Sequence, residues 1–457
     1  MLARWPENMT IHADFFKIVK EGLPHAFSEN APLRADTVFI DGQVKLMKAA
    51  QVDSWGVFFT VQFFKTIENC FALGASTVVL GFDDYKHVPA SKTMTQVKRA
   101  KQKVVIDFPE SMCLPSKMPE DWGGAMANRS FKVKVISKVL EATSNWFKKK
   151  LASDPAYRER NLVLDYAGPP VLLRLESGQP SNVAEFITSH DWNTPSSAVG
   201  RGECDIKAFV WMHVSSCLFI VSTDGDYLPL ALLQTRDKQC EVVLFRMTTQ
   251  TSVETVNKRK LSETCSTPKK TRRTYEYVRI APIASWIATV LPSKAIDPVR
   301  QFCALVALCG CDFSRNLPRL GPRTLWKLRH RMQNIDLLQT SQAVAALCIA
   351  YTDLFIMKNT VPEGMCNKQL WFESMPEERI LSIYSSVAAR IQSSARVSQT
   401  IKQQLWGPAI ALAHARNSVW TMHYWSFLEH CPDPHTADFG YVRDAKGRTH
   451  FAAEPVP

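Results

Sequence analysis

Val221-Ser-Thr-Asp-Gly-Asp-Tyr-Leu228 is the stretch on which the reading of the fold turns. The apolar run from Cys217 to Ser222 reads as a buried strand, and from its tip come two carboxylates, Asp224 and Asp226. The arrangement recurs along the chain. Asp41 closes Thr37-Val-Phe-Ile, and Asp83 follows Thr77-Val-Val-Leu-Gly-Phe. Glu203 and Asp205 open a helical stretch at Gly202-Glu-Cys-Asp, and Asp312 follows the apolar run from Phe302 to Cys311. An open α/β sheet places its ligand site at the carboxyl ends of its strands. If these seven acids converge there, they cannot all be ionised without cations, so the pattern predicts a divalent metal centre with oxygen ligands.

Around those acids, the order of elements predicts the fold class. A strand from Thr37 to Ile40, a helix from about Ser54 to Leu73 stopped by Gly74, and a strand from Thr77 to Phe82 form a β-α-β unit. Such a unit implies an α/β fold with a central, mostly parallel sheet and a right-handed crossover. The sheet resumes with a helix from Gly202 and strands at Cys217 to Ser222 and Glu241 to Phe245, with sheet-like segments at Leu162 to Leu164 and Val171 to Leu175. Residues 1–35 read as an N-terminal extension with a short amphipathic helix around Phe15, Phe16, Ile18 and Val19. Residues 36–330 form the core, and 331–457 a helical region that gives way to a polar tail after about Leu428.

Three parts of the core differ in character. Residues 84–160 are a basic insertion: a run at Lys92, Lys98, Arg99, Lys101 and Lys103 is followed by an expected helix from Arg129 to Leu151. That helix carries Lys132, Lys134, Lys138 and Lys148 to Lys150, interleaved with Phe131, Trp146 and Phe147. Residues 247–275 are polar and basic without periodicity, and read as a disordered loop. Residues 316–330 read as a tight turn opening a helix at Pro322.

The 457 residues, 46% of them hydrophobic, are enough to bury a large core, and a net charge of +12 suits a polyanionic partner. Twelve cysteines lack framework spacing, which points to buried thiols in a reducing compartment. Cys309-Gly-Cys311 has no second pair at zinc spacing. No apolar stretch reaches the roughly 20 residues that span a bilayer, and the N-terminus does not read as a signal peptide, so no membrane association is expected. Lys258-Arg-Lys with Lys269-Lys-Thr-Arg-Arg273 looks like a bipartite nuclear import signal, with a phosphate-binding tether or a solvated linker as the alternatives. The expected location is nuclear, otherwise cytoplasmic.

Taken in order, the motifs resemble the flap endonuclease/XPG-type structure-specific 5′ nucleases, which have a PIN-like α/β core. They are Asp41, Phe82-Asp83, Gly202-Glu203-Cys-Asp205, Ser222-Thr-Asp224-Gly-Asp226, and Gly310-Cys-Asp312 leading into Leu320-Gly321-Pro322-Arg323-Thr324. The 19-residue interval from Asp205 to Asp224 and the seven-residue interval from Lys92 to Arg99 are similar to the family's. The resemblance covers about residues 10–330.

What the resemblance implies is a two-metal phosphodiester hydrolysis. Asp41, Asp83, Glu203 and Asp205 would surround one Mg²⁺, and Asp224, Asp226 and Asp312 a second, with Mn²⁺ as a substitute. Lys92 and Arg99 would be catalytic, neutralising charge on the attacked phosphate. The insertion would be a helical arch or clamp that passes a single-stranded 5′ end, with Lys132, Lys134 and Lys138 on nucleic acid, and Trp146 and Phe147 packed in the core or arch, the favoured reading, or available for stacking. Residues 316–330 would be a helix–two-turn–helix holding duplex phosphates through Gly321, Arg323, Thr324 and Lys327 with the help of K⁺.

The implied substrate is branched or 5′-flap DNA, cut as a flap or degraded 5′→3′, in replication, repair or recombination alongside proteins of those processes. Two alternatives stay open: an RNA-degrading nuclease of the same fold, similar to herpesviral host-shutoff proteins, and a catalytically silent scaffold that binds branched DNA. The chain also departs from the family's pattern. The N-terminal extension replaces the usual start, Met47 stands where an aromatic is expected, and Arg319 replaces the first glycine of the turn. The interval from Asp226 to Asp312 is longer than usual. These departures point to a viral or otherwise fast-evolving member.

Overall fold

The computed structural model describes residues 11–31, 34–47, 52, 54–84, 106–109, 111–167, 170–176, 179–187, 203–236, 239–251, 271–291, 297–310, 320–332, 335–355, 375–405, 407–426, 441–443 and 449–451. In chain order the strands of its main sheet are β1 (Phe27–Ser28), β2 (Thr37–Asp41), β3 (Thr77–Gly81), β4 (Asn161–Asp165), β5 (Val171–Glu176), β6 (Gln179–Ile187), β7 (Cys217–Val221), β8 (Glu241–Thr251) and β9 (Thr271–Arg279). Across the sheet they lie in the order β1-β9-β8-β7-β2-β3-β4-β5-β6. The central run β8-β7-β2-β3-β4 is parallel throughout, and antiparallel strands finish both edges. The fold is α/β with a parallel centre, as the β-α-β order predicts.

A parallel centre must be covered on both faces, and the strands are apolar on both faces accordingly. Strand alternation sends Val38, Ile40, Val78, Leu80 and Phe219 to one side, and Phe39, Val79 and Ile220 to the other. The first side is covered by the helical stretch from Trp55 to Ala72 and by the helix Arg129–Ser153. Ser54 starts the former by accepting a hydrogen bond from the Val57 amide, and a π-helical turn, Thr60–Phe64, interrupts it. The second side is covered by the helices Ile11–Gly22, Cys204–Val210, Tyr227–Gln234, Ile280–Val290 and Pro298–Cys309. On these pack Thr340–Phe355, Glu377–Ser393 and Pro408–Ser426, so the C-terminal helices share one core with the sheet.

Several expectations need correction. The polar stretch 247–275 is strand at both ends: β8 and β9 run as a ribbon from Val243↔Arg279 to Thr251↔Thr271. Its backbone ladder does not need apolar alternation to form. Residues 252–270, with most of the basic signal from Lys258 to Arg273, lie outside the described residues.

Within the insertion, the helix Arg129–Ser153 buries Phe131, Val135, Ile136, Val139, Phe147 and Leu151. This apolar stripe at helical spacing holds the helix on the sheet, while residues 85–105 of the insertion lie outside the described residues. Trp146 stacks on Phe64 with ring centroids 4.9 Å apart, and Phe147 on Phe71 at 5.9 Å, so both pack within the protein.

The N-terminal helix is likewise part of the core, with Phe15, Phe16, Ile18 and Val19 buried, and β1 adds an edge to the sheet. In the expected polar tail, Tyr441–Arg443 and Thr449–Phe451 pair as an antiparallel ribbon. The described cysteines are free thiols, and no described helix is long and apolar enough to cross a membrane.

Candidate carboxylate site

The sheet aligns the carboxyl ends of three neighbouring parallel strands. Ile40 of β2 lies opposite Val221 of β7, and Asp41 opposite Gly81 of β3. Two glycines let these ends approach. A Cβ on Gly42 would meet the Phe82 ring at 2.5 Å, and one on Gly81 would meet the Phe39 ring at 2.3 Å. Neither contact is sterically tolerable, so Asp41 and Asp83 are carried on segments only glycine can pack together.

Asp41 points to the same side of the sheet as Phe39, toward the helix Tyr227–Gln234. It is buried, and both its oxygens are engaged: Oδ1 accepts from the Val44 amide at 3.0 Å. Its Oδ2 accepts from the Ser222 hydroxyl at 2.9 Å and the Tyr227 phenol at 3.3 Å. Asp83, also buried, accepts from the Cys204 amide at 2.9 Å, which ties the end of β3 to the start of the helix Cys204–Val210. Glu203 occupies the cap position of that helix and is fully buried. Asp205 lies in its first turn, accepting from the Ile206 amide at 2.9 Å. Asp224 is exposed beyond β7 and accepts from the amide of buried Asp226 at 3.2 Å.

Two neutral groups in the middle register the crowding of charge. Burial first, then the charges of Asp41, Asp83 and Asp205, push the Cys204 thiol well above its ordinary value, with Lys207 opposing. The Tyr227 phenol is raised by burial, then by Asp41, Cys204, Asp205 and Asp224. Asp41, Asp83, Asp205 and Asp224 therefore act on one small region. Two cations border it. Burial lowers Lys45, against the charges of Cys70 and Asp41. Burial also brings Arg246 down to about 10, against Glu276 and Asp224. Its guanidinium lies 3.4 Å from the centroid of the Phe16 ring.

Of the sequence-predicted residues, the structure brings Asp41, Asp83, Glu203, Asp205, Asp224 and Asp226 to this one edge. Asp312, Lys92 and Arg99 lie outside the described residues. Lys134 donates to the Met112 carbonyl and sits over the Phe108 ring, while Lys138 lies 5.3 Å above Trp55. Lys132, on the same helix, is half-buried. The helix Pro322–Leu328 packs on the N-terminal helix, where Arg323 pairs with Glu21 at 2.7 Å. Lys327 is exposed, Thr324 half-buried, and among the described residues a Cβ on Gly321 would meet nothing within 4 Å.

The groups that hold the acids come from parts of the chain that meet them only in the fold. Ser222 and Tyr227 were in the quoted stretch, but only the register of β2 against β7 shows that both reach Asp41. Asp84, which reads as a turn residue, is buried, as are Asp165 at the end of β4 and Lys207.

Oxygen is the only donor the six carboxylates offer, and that is the chemistry hard divalent cations take. Among the described residues no three His, Cys, Asp or Glu side chains are gathered closely enough to hold one ion. Like charges repel, and Asp41 and Asp83 are turned onto protein donors instead. No protein-family profile matches the chain, and none of the curated proteins matches it.

Proposed function

We propose that the chain is a Mg²⁺-dependent, structure-specific 5′ nuclease of the flap endonuclease/XPG type, with a PIN-like core, acting on branched or 5′-flap DNA. One observation carries the reading: Ser222 and Tyr227, which flank the acids that follow β7, both donate to Asp41 at the end of β2, and Asp83 beyond β3 accepts from the Cys204 amide at the start of the helix Cys204–Val210, so four acid-bearing segments are tied together. An ordinary set of caps and turns would be spread over the surface, whereas here Asp41, Asp83, Glu203, Asp205 and Asp226 are buried. Clustered, buried carboxylates are costly unless something compensates them.

In this reading Asp41, Asp83, Glu203 and Asp205 would hold one Mg²⁺, and Asp224, Asp226 and Asp312 would hold a second. Bound Mg²⁺ supplies charge stabilisation of the phosphate and lowers the pKa of water. The protein's own part is to fix the carboxylates: Ser222 and Tyr227 orient Asp41, and the Cys204 amide orients Asp83. Lys92 and Arg99 add positive charge on the phosphate, and Gly321, Arg323, Thr324 and Lys327 hold duplex backbone, with K⁺ at the turn. The net charge of +12 supports a nucleic acid as partner, and the basic residues from Lys258 to Arg273 support a nuclear setting.

The test is a side-by-side assay of 5′-flap DNA, nicked duplex, single-stranded DNA and RNA, with and without Mg²⁺ or Mn²⁺. The expected result is metal-dependent cutting of the flap, lost in Asp224→Ala and Asp226→Ala with binding retained. Undiminished cutting by those variants removes the site assignment. Cutting confined to RNA replaces the substrate.

A further inference from the structure

We infer that Lys207 is a positioning residue for the carboxylate site, a role that rests on the proposed metal-dependent function. Its side chain is 8% exposed, and its ammonium has three acceptors. These are the Asp165 carboxylate at 3.0 Å, the Phe82 carbonyl at 3.1 Å and the Tyr166 carbonyl. A lysine ammonium has three donors, so the match is complete.

The acceptors define what the residue does. Phe82 immediately precedes Asp83, and its amide donates to the Asp165 carbonyl at 2.9 Å, which locks the ends of β3 and β4 together. Lys207 reaches both from one turn beyond Glu203, whose carbonyl accepts the Lys207 amide at 3.1 Å. The Asp83 carboxylate then returns to the same helix through the Cys204 amide. A closed circuit results: Glu203, Lys207, Phe82, Asp83, Cys204. Without the ammonium, the Cys204 amide is the one remaining hydrogen bond of that circuit between helix and strand end. A spacing between Asp83 and the Glu203–Asp205 pair set by one bond is softer than one set by two.

Charge alone makes the opposite prediction from positioning. An ammonium beside carboxylates competes with a cation, so a residue that acted only by its charge would, on removal, leave cation binding tighter. A residue that fixes the spacing leaves it weaker.

The experiment is a calorimetric titration of the full chain with MnCl₂, free of nucleic acid, with folding followed by circular dichroism. Lys207→Met removes the ammonium, and Lys207→Met with Asp165→Leu also removes the stranded carboxylate, protecting the fold where the single variant loses it. The expected result is a folded double variant that binds Mn²⁺ about tenfold to a hundredfold more weakly than the wild type. Binding as tight as the wild type's, or tighter, in either folded variant overturns the positioning role. A wild-type chain that takes up no Mn²⁺ overturns the metal reading beneath it, and so separates the two failures.

Discussion

Ser222 donates its hydroxyl to Asp41 Oδ2 at 2.9 Å, joining two neighbouring strands at the point where each releases its acids. The Ser222 hydroxyl oxygen in turn accepts from the Asp224 amide at 3.1 Å. One hydroxyl thus orients a buried carboxylate on β2 and shapes the turn that carries Asp224 and Asp226 after β7.

Ser222→Ala therefore leaves Asp41 with one donor fewer in a buried position and the Asp224 amide without its side-chain acceptor. The expected loss is about 1–3 kcal/mol of folding stability, read as a lower urea midpoint with an unchanged slope. Ser222→Thr, which retains the hydroxyl, is expected to lose less. If Ser222→Ala unfolds at the wild-type midpoint, the hydroxyl is not orienting a buried charge.

Alkaline pH provides a second prediction. Burial raises the Cys70 thiol from its ordinary 9.0 to about 12 against the opposing charge of Lys45, and burial raises Cys217 likewise to about 12. Each holds its proton more firmly folded than unfolded. Their contribution is thus intact below about pH 9, and is lost as the pH rises toward 12 because the unfolded chain ionises first. Tyr227, Tyr351 and Tyr384 are raised in the same direction, chiefly by burial. Arg246, lowered to about 10, pulls the other way above that value, as do Lys45 and Arg329, both lowered by burial, but the raised thiols and phenols outnumber them. The thermal midpoint under reducing conditions should fall between about pH 8 and about pH 10.5, and less steeply in Cys70→Ala. A midpoint that is flat or rises over that range contradicts the burial of these groups.

The strand-end acids were legible because β2, β3 and β7 are continuous apolar runs and a carboxylate ends or follows each one. What holds those acids was not. Lys207 looks like an ordinary helix-surface lysine until β4 delivers Asp165 beside it, and that pairing is long-range. The outer part of the β8–β9 ribbon escaped for a different reason. Thr248 to Thr251 and Thr271 to Thr274 have no apolar alternation, and a ribbon made by its backbone ladder leaves no such trace. The lysines of Arg129–Ser153 drew attention to a basic face, while the stripe from Phe131 to Leu151 decides where that helix packs.

That stripe bears on Trp146. Its ring stacks on Phe64 at 4.9 Å with the planes 3° apart, and lies edge-on to Tyr157 at 6.4 Å. Trp146→Ala is expected to cost about 2 kcal/mol of stability while leaving single-stranded DNA affinity within error. Denaturant unfolding and fluorescence anisotropy on the same preparation check both halves. An unchanged stability with weakened binding would make Trp146 a base-stacking residue.

The last prediction concerns Arg323, the member of the proposed duplex-binding turn whose partner is visible. It pairs with Glu21 at 2.7 Å, and both side chains are more than half exposed. A surface pair of this kind contributes little to folding, so Glu21→Gln is expected to leave the unfolding midpoint unchanged. It also releases the guanidinium, which can then meet a phosphate. On the proposed function, duplex affinity at low salt should rise a fewfold, and the dependence of log affinity on log salt should steepen by about 0.9, the release of one further counterion. Arg323→Ala should remove that gain in the Glu21→Gln background, and anisotropy titrations over a series of KCl concentrations read both effects. If Glu21→Gln leaves the salt slope unchanged, Arg323 does not face the nucleic acid, and the turn's binding role falls to Lys327 and the backbone at Gly321.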